Sequence, residues 1–222
     1  TNGSVSNLSG SGTNYGLTVT PVTPGAVTIR LPANAAQNAG AVGSLASNTV
    51  SVTYTPPVVV ALQSQDVGVV EVAGSMSYNS TTDTYTLQGA GDDIYFTADG
   101  FRFAYTQLTG DGEIRARILS QSNTNPWAKT GVMIREALTG GSRHATVFTT
   151  PAVENNGFGM VWRPTSNAAT NYAGGPALNA APNNWVRLVR SGNTISAYAS
   201  SNGNAWTLMS TASVVAGRPF YY

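Results

Sequence analysis

The chain holds one histidine, one lysine and no cysteine, so the side chains that could do chemistry can be weighed one by one. The histidine, His144, lies in Ser142-Arg143-His144-Ala145 at the start of an expected strand. A hydrolytic triad would need it beside a serine such as Ser142 or Ser191. The sequence has no Gly-x-Ser-x-Gly elbow, and a single histidine without cysteine completes no zinc site of the usual kind. His144 is therefore expected to be structural or to touch a ligand. Glycoside hydrolysis needs two carboxyl groups facing each other across roughly 5–10 Å. Glu113 and Glu136 are the glutamates on clear strand patterns, and each has an arginine close in sequence, Arg115 and Arg135, so structural ion pairs are expected. Lys129 sits between Trp127-Ala128 and Gly131-Val132-Met133-Ile134 and needs a partner, since an unpaired buried ammonium destabilises a fold. Glu136, Asp111 or Glu113 could supply one, and a salt bridge fits better than an isopeptide cross-link to an asparagine.

Asp92, Asp93, Asp99 and Asp111 stand in expected turns, where carboxylates and backbone carbonyls could hold calcium. The alternative is that aspartates populate turns because they bond their own backbone. No other cofactor is expected. Trp162, Tyr172, Trp185 and Trp206 could offer a flat ring to a sugar. Trp162 with Arg163, followed by Asn167, Asn171 and Tyr172, is the expected loop-borne ligand site, because loops at the ends of a rigid sandwich carry recognition.

The elements that must position these residues are strands. Charged residues are 9% of the chain, where about a quarter is usual, and the formal net charge is +1. Ser, Thr, Asn and Gly must cover the surface, which suits glycan contact or crowded assemblies and gives no basic stripe for nucleic acid or a membrane surface. No apolar run reaches the roughly 20 residues of a membrane span, and with no initiator Met the chain is expected to be an excerpt or a matured product of an exported protein.

Residues 1–56 contain one charge, Arg30, and read as short strands at Leu17 to Thr20, Ala26 to Leu31 and Thr49 to Thr55. In the last of these, Val50, Val52 and Tyr54 alternate with Ser51, Thr53 and Thr55, which predicts one buried and one wet face. Pro32 to Asn48 reads as a loop, and Pro56-Pro57 opens a stiff connector over 57–65. From Asp66 onward the chain carries all ten acidic residues and most aromatics, as a second domain over 66–222. Its strands show in Phe101, Phe103 and Tyr105, in Ile114, Ala116 and Ile118, in Val186 and Leu188, and in Ile195 and Ala197, each run alternating with polar or small residues. Trp127, Val132, Ile134, Phe101, Phe103, Ile114, Ile118, Val186 and Leu188 are expected to form one core between two antiparallel sheets. No stretch has a sustained helical period.

Two resemblances add to this reading. Thr1 to Gly12, Leu17 to Thr20 and Ala46 to Tyr54 resemble the C-terminal part of bacterial immunoglobulin-like repeats. The second domain, through Gly89-Ala90-Gly91-Asp92-Asp93-Ile94, Leu108-Thr109-Gly110-Asp111-Gly112, Trp127 to Glu136, Ser142 to Ala145 and Trp185 to Asn193, resembles the concanavalin A-like modules of secreted glycosidases and multidomain bacterial surface proteins. The resemblance implies an all-β chain, a partial immunoglobulin-like sandwich followed by a jelly roll that lacks its last strands, and the sheet edges this leaves open near Thr1 and Tyr222 are expected to be covered by other parts of the parent chain or by strands of a neighbouring copy. The function expected is a non-catalytic binding and spacer segment of an exported surface protein, whose partner is a glycan or a neighbouring copy. The alternatives are a subunit of an extracellular fibre and an accessory module of a polysaccharide-degrading enzyme.

Overall fold

The computed structural model describes residues 1–12, 14–55, 61–151, 156–177, 184–214 and 220–222. Among them the chain is all-β, without a helix, and divides into two compact units, Thr1–Val59 and Val60–Tyr222. Pro56-Pro57 lies outside the described residues.

The first unit consists of two hairpin-like ladders. Strand β1 (Gly3–Ser11) pairs antiparallel with β2 (Asn14–Pro21), and β3 (Gly25–Ile29) pairs with β4 (Val50–Tyr54). The first two residues tie the ladders together. The Thr1 amine donates to Thr28 O at 2.6 Å, Thr28 N donates to Thr1 O at 3.2 Å, and Asn2 Nδ2 donates to Thr23 O at 2.9 Å. Pro32 to Asn48 is loop apart from one bridge, Gln37 to Gly43. The alternation in β4 does not translate into burial: Val50 is 57% and Val52 62% exposed, and Val27 is the one buried apolar residue among the described residues of this unit.

The second unit contains β5 (Gln63–Val67), β6 (Ser75–Asn79), β7 (Thr84–Gln88), β8 (Ile94–Tyr95), β9 (Ala98–Asp99), β10 (Phe101–Tyr105), β11 (Gln107–Leu108), β12 (Gly112–Ile118), β13 (Thr130–Arg135), β14 (His144–Thr149), β15 (Phe158–Arg163), β16 (Asn171–Gly174), β17 (Asn184–Ser191), β18 (Thr194–Ser200), β19 (Thr207–Ser213) and β20 (Phe220–Tyr221). A six-stranded sheet runs β11-β20-β13-β14-β15-β16 and a four-stranded sheet runs β12-β17-β18-β19. Gln63 to Gln65, expected within the connector, belong to β5, which pairs along its length with β10. The chain end is also strand. β20 lies between β11 and β13, and Tyr222 exchanges two backbone hydrogen bonds with Thr106, at 3.0 and 3.1 Å, so no open edge forms at Tyr222.

Alternation explains the layers. Val132 and Ile134 of β13, Ala145 and Val147 of β14, and Phe158 and Met160 of β15 meet Val186, Leu188, Ile195, Ala197 and Ala199 of the four-stranded sheet in one core. Ile118 belongs to that core and Ile114 packs against it. The opposite side of the six-stranded sheet is buried too. Met133, Phe148 and Val161 form a second cluster with Val67, Ile94, Phe103 and Tyr105, and Phe101 packs against it. The expected single core is therefore two, and every residue of β14 is buried. Gly159 is required here because its strand partner Phe148 lays its ring across it, and a Cβ would stand 2.4 Å from that ring. Trp127 is in neither core. It sits in the loop before β13 and is 47% exposed, since a loop side chain is not committed to a face by alternation.

Candidate binding site

Three neighbouring strands of the six-stranded sheet bring charge into register. Arg135 ends β13, His144 begins β14 and Arg163 ends β15, and the three are direct cross-strand partners. Directly opposed residues share a face, so two arginines and the histidine stand in a row. Asp99, from the two-residue strand β9, meets them. Arg163 Nη2 donates to Asp99 Oδ1 at 2.7 Å and Nη1 donates to Oδ2 at 2.8 Å, a two-pronged ion pair. Arg135 Nη1 donates to Asp99 Oδ2 at 3.4 Å. All four side chains are almost completely buried.

Two guanidinium groups on one carboxylate leave an excess positive charge, and the surroundings disperse it. Arg135 Nε donates to Ala137 O at 2.6 Å, Nη2 bonds Thr139 O, and its guanidinium lies 5.1 Å from the centre of the Phe101 ring. Burial lowers the Arg135 pKa to about 10 against the opposing pull of Asp99, and the group stays charged at neutral pH. His144 Nδ1 shares a hydrogen bond with Thr146 Oγ1 at 3.0 Å. Its Nε2 is 3.6 Å from Asp99 Oδ2, too long for a hydrogen bond. Burial first, then Arg135 and Arg163, hold the imidazole well below its ordinary range, so it is neutral.

The remaining donors of Arg163 fix three loops. Nε donates to Ala168 O at 2.9 Å, Nη1 donates to Gly140 O and Ser142 O at 3.1 Å each, and Nη2 donates to Tyr95 O at 3.3 Å and Phe96 O at 3.2 Å. Phe96 also accepts from Thr170 N at 2.9 Å. Held this way, Phe96 has a φ of +47° and is 70% exposed. That conformation is strained for a bulky residue, and such strain persists where the surroundings impose it.

Two further aromatic rings lie exposed along the same sheet. Trp127 and Tyr172 meet edge to face, with centroids 6.2 Å apart at 83°, and are 47% and 41% exposed. Tyr172 is the strand partner of Val161, which places it on the side away from the four-stranded sheet. The loop bearing Trp127 is tied down by several bonds. Trp127 N donates to Asn125 Oδ1 at 2.8 Å, Asn156 Nδ2 donates to Pro126 O at 2.8 Å, and Gln121 Nε2 donates to Ala128 O at 2.8 Å. Lys129 Nζ pairs with Asp93 at 2.5 Å, donates to Trp127 O at 3.3 Å and lies 5.3 Å from the centre of the Phe148 ring.

No family model, curated protein or solved structure matches the chain.

The expected ligand quartet divides by face. Trp162 and its strand partner Asn171 point toward the four-stranded sheet, where Trp162 packs against the core, while Arg163 and Tyr172 belong to the other side. Arg163 is corrected from a ligand contact to a buried support, because every guanidinium nitrogen is already bonded within the fold. Tyr172 alone of the four is an exposed ring, and its partner is Trp127. The four aspartates do not converge. Asp99 holds the arginines, Asp93 holds Lys129, Asp111 Oδ1 accepts from Gly192 N at 2.6 Å, and among the described residues no three acidic or histidine side chains group as a metal would need. The calcium expectation is corrected on that ground for Asp99, whose carboxylate is sealed and neutralised. Glu113 pairs with Arg187 and Glu136 with Arg143 at 3.7 Å, across strands or turns and not with the expected Arg115 and Arg135. Lys129 takes Asp93, which sequence reasoning did not consider. Phe96 was missed as well, and its place just after the Gly-Asp-Asp turn is the one sequence signal that could have drawn attention to it.

Proposed function

We propose that the chain is a non-catalytic, glycan-binding segment of an exported bacterial surface protein, and that Trp127 and Tyr172 form its sugar platform. The exposed perpendicular pair carries this reading. One ring can lie against the apolar face of a pyranose while the other bounds its edge, and the Asp93 carboxylate, 40% exposed, offers an acceptor to a hydroxyl. The loop and strand that bear the rings are anchored to a doubly buried sheet, so little ordering is needed on binding. The side chains that hydrolysis would use support a binding role over a catalytic one: His144 is sealed from solvent, and Glu113, Glu136 and Lys129 are engaged in ion pairs.

Titration of the whole chain with a panel of neutral oligosaccharides, followed by tryptophan fluorescence and calorimetry, tests the proposal. Trp127→Ala is expected to weaken binding by about tenfold or more while leaving thermal stability within about 0.5 kcal/mol. A Trp127→Ala chain that binds every sugar as tightly as the parent overturns it. A second reading, a subunit of an extracellular fibre, is favoured by one observation: Val5, Leu8, Tyr15, Val50 and Val52 of the first unit are exposed. Concentration-dependent polymer in analytical ultracentrifugation supports that reading, and a monomer at all concentrations removes it.

A further inference from the structure

The four-stranded sheet turns one face to the core and the other to solvent, and the solvent face has a composition of its own. Across the register one row reads Glu113, Val189, Ser196 and Thr211, the next reads Arg115, Arg187, Tyr198 and Leu208, and a third begins with Arg117 and Trp185. Three arginines thus stand on two adjacent strands in a chain with a formal net charge of only +1. β17, β18 and β19 come from the part of the chain beyond Glu154, which contains no acidic residue, so Glu113 is the single carboxylate in these rows.

Two of the guanidinium groups lie over aromatic rings. Arg187 lies 5.6 Å from the ring centres of both Tyr198 and Trp206, and its Nε donates to Glu113 Oε2 at 3.0 Å while Nη2 bonds the same oxygen. Arg117 lies 5.7 Å from the centre of Trp185, and Arg115 is exposed between them. Contact with a ring restricts the side chain, so less freedom is lost when its guanidinium takes a carboxylate. The Arg187–Glu113 pair shows that this face already accommodates one carboxylate.

We propose that the solvent face of the four-stranded sheet binds an acidic polysaccharide of the uronate class, with carboxylates on Arg115 and Arg117 and sugar hydroxyls on Ser196 and Thr211. Charge complementarity selects an anion. Nucleic acid is disfavoured because its affinity grows with the number of phosphates neutralised, and this face offers few cations. The surface lies on the opposite side of the core from Trp127 and Tyr172 and does not depend on them.

The test is binding of polygalacturonate to the whole chain at low ionic strength, with neutral dextran and poly-glutamate as comparison probes. Polygalacturonate is expected to bind where dextran does not, and Arg115→Gln with Arg117→Gln to weaken it about tenfold or more, since each charge-assisted bond lost is worth at least that factor. Glu113→Gln removes the internal competitor and is expected to tighten binding about threefold. That opposite sign separates recognition from damage to the fold, and Trp127→Ala is expected to leave polygalacturonate binding unchanged. Polygalacturonate held no better than dextran, binding unaltered in the double glutamine variant, or poly-glutamate held as tightly would overturn the proposal.

Discussion

Strands β4 and β17 carry the same kind of pattern and meet different fates. Val50, Val52 and Tyr54 alternate with hydroxyl residues as regularly as Val186 and Leu188 alternate with Arg187, yet Val50 and Val52 are more than half exposed while Val186 and Leu188 are sealed at 0%. Both alternations are correct as statements about which side chains share a face. Among the described residues only β17 enters a core cluster through that face, because β13, β14 and β15 present Ile134, Val147 and Met160 to it. Period two thus predicts a strand and its sides, whereas burial depends on what the rest of the chain stacks against it.

The contrast should be largest at the buried charges. Asp99→Ala leaves two guanidinium groups uncompensated in the second unit, and a loss of about 3–5 kcal/mol is expected in chemical denaturation. All four tryptophans lie in the second unit, so their fluorescence reports that unit alone. A loss below about 1 kcal/mol would mean that water reaches the site and the network is looser than its geometry.

A paired truncation tests the comparison directly. Leu188→Ala is expected to cost about 3 kcal/mol through lost burial and an unfilled cavity, against less than about 0.5 kcal/mol for Val52→Ala on an exposed face. Equal costs would show that the first unit's valines are covered in solution, as the fibre reading requires.

A smaller effect should appear in the pH dependence of the second unit. His144 is neutral when folded and titrates near 6.5 when unfolded, so below that value the unfolded chain binds the extra proton. Stability is therefore expected to fall as pH drops through about 6.5, by up to about 1.4 kcal/mol per pH unit, and His144→Gln should flatten this slope. An unchanged slope would assign it to carboxylates instead. The smallest expected change is a gain. Phe96→Gly relieves the positive-φ strain at an exposed residue and should stabilise the unit by about 1 kcal/mol, which denaturation with the same fluorescence would read.

Composition and period two determined much of this protein. They specify an all-β chain, the change of character near the proline pair, the strands at β10, β12, β17 and β18, and the turn at Ser191-Gly192-Asn193, where Gly192 takes a φ of +58°. These are local properties, fixed by side-chain alternation and by what glycine permits. The face of Trp162, the exposure of Trp127, the partner of Lys129 and the row Arg135, His144 and Arg163 were decided by tertiary structure. That row joins three consecutive strands through their register, and Asp99 reaches it from 36 residues before Arg135. Sequence spacing cannot carry such information, because the register between strands is chosen by the packing of both sheet faces at once, and a one-residue slip would send every one of these side chains to the other side.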